Sequence, residues 1–314
     1  MNPSKIPHPQ IKSNLHPRSK HRERYDFASL ISTCAALKPF IQVNKFGDES
    51  IDFSNPLAVK TLNQALLQHF YGIEYWDIPA NFLTPPIPGR ADYVHYLADL
   101  IDQKLTVKNG KIRCLDIGVG ANCIYPIIGV TVYNWQIVGA EIEPKALVAA
   151  QKIVDSNEVL RGNIELRLQA NVKSIFTGII APQDRFDVTI CNPPFHASTE
   201  AAESGTKRKI KNLTHQKNSK PVLNFGGQSN ELWCDGGEAS FIHQMVQESA
   251  LFSHNCALFS TLVSKKENLR GILKSLQKMP VTKYQIVEMQ QGNKTSRLIA
   301  WSFLSEEELK TWGK

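Results

Sequence analysis

The tetrapeptide Asn192-Pro193-Pro194-Phe195 is suited to handling a planar amine. An exocyclic amine on a nucleobase is a poor nucleophile, because its lone pair is delocalised into the ring. The Asn192 side-chain oxygen and the Pro193 carbonyl can each accept one amine hydrogen. Held out of plane in this way, the lone pair turns toward an electrophile. Proline adds stiffness and an acceptor with no N–H beside it. Phe195 can stack on the base, a contact worth roughly 1–3 kcal/mol. Asn-Pro is also a common strand-ending turn, so the motif gains this meaning only beside a site that presents an electrophile. The adjacent His196 reads as a loop histidine and not as a base.

A second constellation supplies such a site. Asp116-x-Gly118-x-Gly120-Ala121 falls between a strand and a helix, where glycines permit a tight turn and close backbone approach to a ligand. Glu141 ends the next strand, where a carboxylate can hold two ribose hydroxyls. A nicotinamide dinucleotide enzyme would look similar. Two features disfavour it: position 123, where the third small residue of a dinucleotide fingerprint falls, is Cys, and the acidic Asp116 suits a cationic ligand better than a pyrophosphate. S-adenosylmethionine has ribose, adenine and a sulfonium but no phosphate, and is the cofactor expected. The two constellations together describe a methyl transfer. A base leaves its stack, Asn192 and Pro193 hold its amine, and positioning does most of the work without a strong general base.

These residues need a sheet edge to meet. Phe186 to Cys191 is an apolar, β-branched run that reads as a buried strand. Two prolines cannot continue a ladder, so the chain leaves the sheet at Asn192, the carboxyl edge where open α/β sheets bind ligands. Strands are expected at 112–117, 136–140, 164–168, 186–191, 256–263, 283–289 and 296–304, with helices at about 122–133, 144–154, 238–252 and 267–277 between them. The alternation implies an α/β fold with a Rossmann-like, mostly parallel sheet of seven strands, one of them antiparallel in a terminal hairpin. Ahead of it, 25–40, 56–71 and 90–105 have helical spacing, and 73–89 is an aromatic, proline-rich packed loop. The expected organisation is a basic flexible arm at 1–24, a small helical N-terminal module at 25–105, and a catalytic domain at 106–314. The last carries a basic insertion at 196–237, too long for an ordinary loop.

With 314 residues and 42% hydrophobic content, the chain has the composition of a soluble globular protein. It lacks an apolar run of the roughly 18 residues that a membrane span needs. The basic N-terminus is no secretory signal, so a cytoplasmic, membrane-free monomer is expected. Its six cysteines form no C-x-x-C pair, which argues for reduced thiols and no metal. The net charge of +7 is concentrated: residues 1–24 carry +5 and residues 200–220 carry +4, leaving the remainder near −2. Two basic segments on an otherwise neutral protein suit a nucleic-acid partner.

Beyond these local readings, the chain resembles the large-subunit ribosomal RNA adenine-N6 methyltransferase family, the methyltransferase F type, related to methyltransferase-like RNA adenine enzymes of animals. The resemblance rests on Leu15-His16-Pro17-Arg18, Arg24-Tyr25-Asp26-Phe27, Ser50-Ile51-Asp52-Phe53, and Pro85-Pro86-Ile87-Pro88-Gly89-Arg90-Ala91-Asp92-Tyr93. It continues through Leu115 to Pro126 and Asn192-Pro193-Pro194-Phe195. It implies a class I S-adenosylmethionine-dependent methyltransferase fold and methylation of adenine N6 in 23S ribosomal RNA, naked or in a large-subunit assembly intermediate. It implies cofactor contacts at Arg90, Gly118, Glu141 and Asn192, with Arg90 on the methionine carboxylate, and adenine contacts near Gln169 or Asn171. Arg18, Lys20, Arg22 and Arg24 would track RNA phosphates, with Lys207, Arg208 and Lys209 adding to them. Guanine-N2 methyltransferases of ribosomal RNA share Asn-Pro-Pro-Phe but carry a duplicated half that this chain lacks. A non-catalytic RNA-binding scaffold would have no reason to keep Asn192 and Glu141.

Overall fold

The computed structural model describes residues 11–44, 46–80, 82–105, 111–194, 234–292 and 294–312. Phe195, Lys207, Arg208 and Lys209 lie outside these, as do residues 1–10 and most of the expected insertion. In chain order the elements are α1 (Phe27–Thr33), β1 (Ile41–Val43), β2 (Glu49–Ile51), α2 (Pro56–Tyr71), α3 (Ile87–Lys104), β3 (Arg113–Ile117) and α4 (Ile124–Tyr133). They continue with β4 (Gln136–Glu141), α5 (Pro144–Asp155), β5 (Ile164–Leu168), β6 (Phe186–Cys191) and α6 (Gly237–Ser249). The last are β7 (Cys256–Val263), α7 (Leu269–Gln277), β8 (Lys283–Gln291), β9 (Lys294–Ser302) and α8 (Glu306–Thr311).

The large sheet runs β5-β4-β3-β6-β7-β9-β8. Every pair from β5 to β7 is parallel, and β9 is antiparallel to both β7 and β8. This is the expected seven-stranded class I arrangement with one reversed strand. Strand order reverses between β3 and β6, which places the carboxyl ends of both at the switch point where ligands bind. Two apolar layers cover the sheet. On one face, Leu62, Trp76, Leu97, Ile127 and Ile153 pack with Cys114, Ile137, Val188 and Leu298. On the other, Ile242, Met245, Ile272 and Leu276 pack with Leu115, Val138, Phe259 and Trp301.

The helices that begin on proline start where the sequence says. Asn55 caps α2, accepting from Leu57 N–H (3.0 Å) and Ala58 N–H (3.3 Å), and Gly72 closes it in the left-handed region. The structure starts α3 three residues before Arg90, inside the Pro-Pro-Ile-Pro-Gly run, because Pro88 fits the first helical turn. It also adds a short hairpin, β1–β2, around the turn at 44–48. Finally it adds helix α8, whose capping box pairs Ser305 with Glu308.

Two expectations about the N-terminal part are corrected. The arm is not free from residue 11 onward. Ile11 bridges to Glu23, and Leu15, His16 and His21 are buried. The boundary at 105 is no boundary in packing either, since α3 lies in the same core as β3, β6 and β9. Polar anchors seat residues 11–24. His16 Nδ1 accepts from Arg18 N–H (3.1 Å), so Nε2 carries the proton and donates to Asp99 (2.9 Å). Arg18 pairs with Asp99 and donates to the His95 carbonyl (3.0 Å).

His21 makes this seat sensitive to pH. Its ring lies between the hydroxyls of Tyr71 (2.8 Å) and Tyr25 (3.0 Å). Burial, reinforced by the nearby charges of Lys12, His95 and Lys20, lowers its pKa from 6.5 to about 3. The folded protein therefore keeps the ring neutral, while the unfolded chain binds a proton below pH 6.5. Stability from this group is complete above 6.5 and is lost as pH falls toward 3. Between pH 7 and 5 the unfolding free energy of the wild type should fall faster than that of His21→Gln, by up to about 1.4 kcal/mol per pH unit. Equal slopes in urea titrations of the two proteins would contradict this burial.

Candidate active site

A cavity of about 710 Å³ opens at the carboxyl edge of β3, β4 and β6. The loop after β3 forms its floor. Gly118 N–H and Val119 N–H both donate to the Ala140 carbonyl (2.9 and 3.0 Å), tying the loop across to β4. Gly118 has φ +78°, and a Cβ there would point into open space. The glycine is thus needed for its backbone conformation. Cys123 adopts φ 53° just before α4, an unusual state for a residue with a side chain. It occupies the position where a dinucleotide fingerprint has its third small residue, and it is fully buried.

Glu141, at the end of β4, joins the two loops. One carboxylate oxygen accepts from Gly120 N–H (3.0 Å), and the other accepts from Ile142 N–H (2.8 Å) and Glu143 N–H (3.1 Å). Burial raises its pKa, while these three donors pull it back down. Asp116 is fully buried, and neither carboxylate oxygen has a partner among the described residues. Burial pushes its pKa well up, the Glu141 charge adds to this, and Arg90 opposes it. Arg90 reaches the cavity from α3 and donates to the Tyr125 hydroxyl (2.8 Å).

Of the expected residues, Arg90, Gly118, Gly120, Glu141, Gln169, Asn192 and Pro194 come together on the cavity wall. Asp116, Ala121, Asn171 and Pro193 are not among the lining residues. Asn171 instead shapes the loop after β5: its Nδ2 donates to Ser174 Oγ (2.9 Å), and its side-chain oxygen accepts from Lys173 N–H (3.0 Å). Gln169 does the same from the wall, donating to the Thr177 carbonyl (3.0 Å). Asn192 follows β6 directly, and its side-chain oxygen is buried without a partner among the described residues.

The cationic residues of the N-terminal segment are engaged within the chain. Lys20 donates to the Phe70 carbonyl (2.6 Å), Arg24 pairs with Asp48, and Arg18 is held as above. Arg22 Nε is buried with no partner among the described residues.

Several site residues were not singled out by sequence. Tyr125, Phe241 and Gln244 line the cavity. Glu248 accepts from the backbone N–H groups of Ile175, Phe176 and Thr177 (2.9, 3.0 and 2.6 Å), fixing one cavity rim. Glu238, at the start of α6, accepts from Ser264 N–H (2.6 Å), the Ser264 hydroxyl and Asn268 Nδ2 (2.6 Å), fixing the chain beyond β7. Each acid sits in a helix and meets its partners only through the tertiary fold, so no local spacing marks it.

The donor set fits S-adenosylmethionine. Glu141 has two carboxylate oxygens beside the glycine loop for a ribose. Arg90 is a planar partner for a carboxylate.

The sequence profile of an RNA methyltransferase family matches residues 9–305. The ribosomal RNA large subunit methyltransferase F of Cytophaga hutchinsonii is 53% identical, covering 98% of this chain and 97% of the relative. That of Flavobacterium johnsoniae is 54% identical over 96% and 97%. Among solved structures, the hMettl16 catalytic domain in complex with the MAT2A 3'UTR hairpin 1 superposes with a TM-score of 0.79 at 29% identity, covering 93% of this chain and 96% of that one. The N-terminal domain of human METTL16 in complex with SAH gives 0.74 at 26% identity, over 93% and 99%. The chain belongs to the RNA methyltransferase family, within the large-subunit ribosomal RNA methyltransferases F, and is an S-adenosylmethionine-dependent enzyme.

Proposed function

We propose that this enzyme methylates the exocyclic N6 of one adenine in 23S ribosomal RNA, with the base flipped into the Asn192-Pro193-Pro194-Phe195 pocket. The observation that carries the reading is the side-chain oxygen of Asn192, a residue of the cavity wall, buried and without a partner among the described residues. An unpaired buried acceptor costs about 1–3 kcal/mol, and an amine hydrogen relieves that cost. When bound, S-adenosylmethionine supplies a methyl group on a positively charged sulfur. Glu141 holds the ribose and Arg90 the carboxylate. The Pro193 carbonyl takes the second amine hydrogen, and Phe195 stacks on the base. These contacts localise the nitrogen lone pair and aim it. The methylated amine then sheds its extra proton to water, so no buried base is required.

The printed names of the relatives support a large-subunit ribosomal RNA substrate. The basic segment at 200–220 supports it from the sequence, because phosphate contacts need cations. The test is methyl acceptance from labelled cofactor by unmodified large-subunit RNA, naked and as an assembly intermediate. The expected label is released by ribonuclease. Label that survives ribonuclease and yields to protease would move the substrate to a protein.

A further inference from the structure

We propose that Tyr93 is a positioning residue for methyl transfer. Its hydroxyl fixes the end of β6, and with it the Asn192 turn, relative to the Arg90 and Glu141 side of the cavity. The inference rests on reading Asn192 as the residue that holds the amine.

The sheet is incomplete at the point where the site begins. Towards β3, β6 is paired as far as Ile117↔Cys191. Towards β7, the registered pairs are Phe186↔Cys256 and Val188↔Leu258, and beyond them side chains take over. Ser260 N–H donates to Thr189 Oγ1 (2.9 Å), and Ser260 Oγ donates to the Thr189 carbonyl (2.5 Å). One step further, Cys191 N–H donates to the Tyr93 hydroxyl (3.3 Å). That hydroxyl lies 2.9 Å from Ser260 Oγ. Ser260 has already given its proton to Thr189, so Tyr93 is the donor to Ser260 and the acceptor from Cys191. Burial holds the Tyr93 pKa well above its usual value, which keeps that donor proton in place. A side chain from α3 thus stands where a β7 carbonyl would close the ladder, at the residue immediately before Asn192.

The same helix carries the other half of the site. Arg90 lies three residues before Tyr93, on the same helical face. Its partner Tyr125 meets the Tyr93 ring edge to face at 5.5 Å. One rigid element therefore spans the carboxylate-binding side and the amine-holding side, and the spacing between them depends on the Tyr93 hydroxyl. Reaction rate is steeply sensitive to such spacing, with displacements near 1 Å costing on the order of a hundredfold.

The test is Tyr93→Phe, which keeps the ring against Tyr125 and deletes only the hydroxyl. Single-turnover rates at saturating RNA and cofactor are measured with SAH affinity by calorimetry, beside the wild type and Asn192→Ala. The expected result is a rate lower by roughly 10- to 100-fold, with SAH affinity unchanged within about twofold. A wild-type rate would overturn the proposal, as would a rate loss matched by an equal loss of SAH affinity, which would make Tyr93 general scaffolding. Turnover by Asn192→Ala would instead refute the amine-holding reading itself. If Tyr93→Phe fails to fold, Ser260→Ala removes the acceptor that orients the hydroxyl, and the same split between rate and affinity decides the question.

Discussion

Asn192→Ala should lower the methyl-transfer rate by about a thousandfold or more while leaving SAH and RNA affinities close to those of the wild type. Loss of a single aligned polar group at a reacting centre costs about a hundred- to a thousandfold in comparable sites. Here the group also performs the step that makes the amine nucleophilic. Its oxygen is buried without a partner among the described residues, so alanine leaves no orphaned donor among them and the fold should tolerate it. Asn192→Asp offers an acceptor of the same shape with an added charge, and should recover part of the rate. Measured kcat and binding constants separate the outcomes. A rate near wild type in Asn192→Ala would show that the amine is held elsewhere, and an equal loss of cofactor affinity would make Asn192 a cofactor ligand only.

Glu141→Ala should lower cofactor affinity by at least about a hundredfold and destabilise the protein at the same time. Two hydrogen bonds to a charged acceptor are worth about 1.5–3 kcal/mol each, and each 1.4 kcal/mol is about tenfold in affinity. The stability loss has a separate origin. The carboxylate gathers the N–H groups of Gly120, Ile142 and Glu143, and without it these donors face a void. Water reaches part of that void, so a loss of about 2 kcal/mol is expected. Calorimetric titration with SAH and urea unfolding of the ligand-free protein measure the two effects independently. Unchanged affinity would remove Glu141 from the ribose site.

The catalytic half of the chain was readable because its signals are local. β5, β6 and β7 begin and end at the residues expected from apolar runs, and the prolines after Cys191 stop β6 as their missing N–H groups require. Glycines mark the β3 turn because only they adopt its backbone without strain. The N-terminal half was read less well for a physical reason. His16 and His21 look like surface residues in a basic, proline-containing stretch, yet both are buried by partners at Asp99, Tyr25 and Tyr71. Tyr93 fits the helical stripe as a plain core residue. Its hydroxyl function depends on a gap between β6 and β7 that no sequence window contains. Helix α8, with its Ser305–Glu308 capping box, was not read from the sequence, and the final strand was expected to run to 304 but ends at Ser302, where the Leu304 N–H turns back to the Ser302 hydroxyl (3.1 Å).

The central claim, that the Asn192 pocket presents an adenine amine to the methyl group, is tested most directly by the identity of the product. Unmodified large-subunit RNA is incubated with enzyme and labelled S-adenosylmethionine, digested to nucleosides, and the labelled nucleoside is identified. The account predicts N6-methyladenosine as the labelled product. N2-methylguanosine would contradict it, leaving the fold and the cofactor site standing but giving the pocket to a different base.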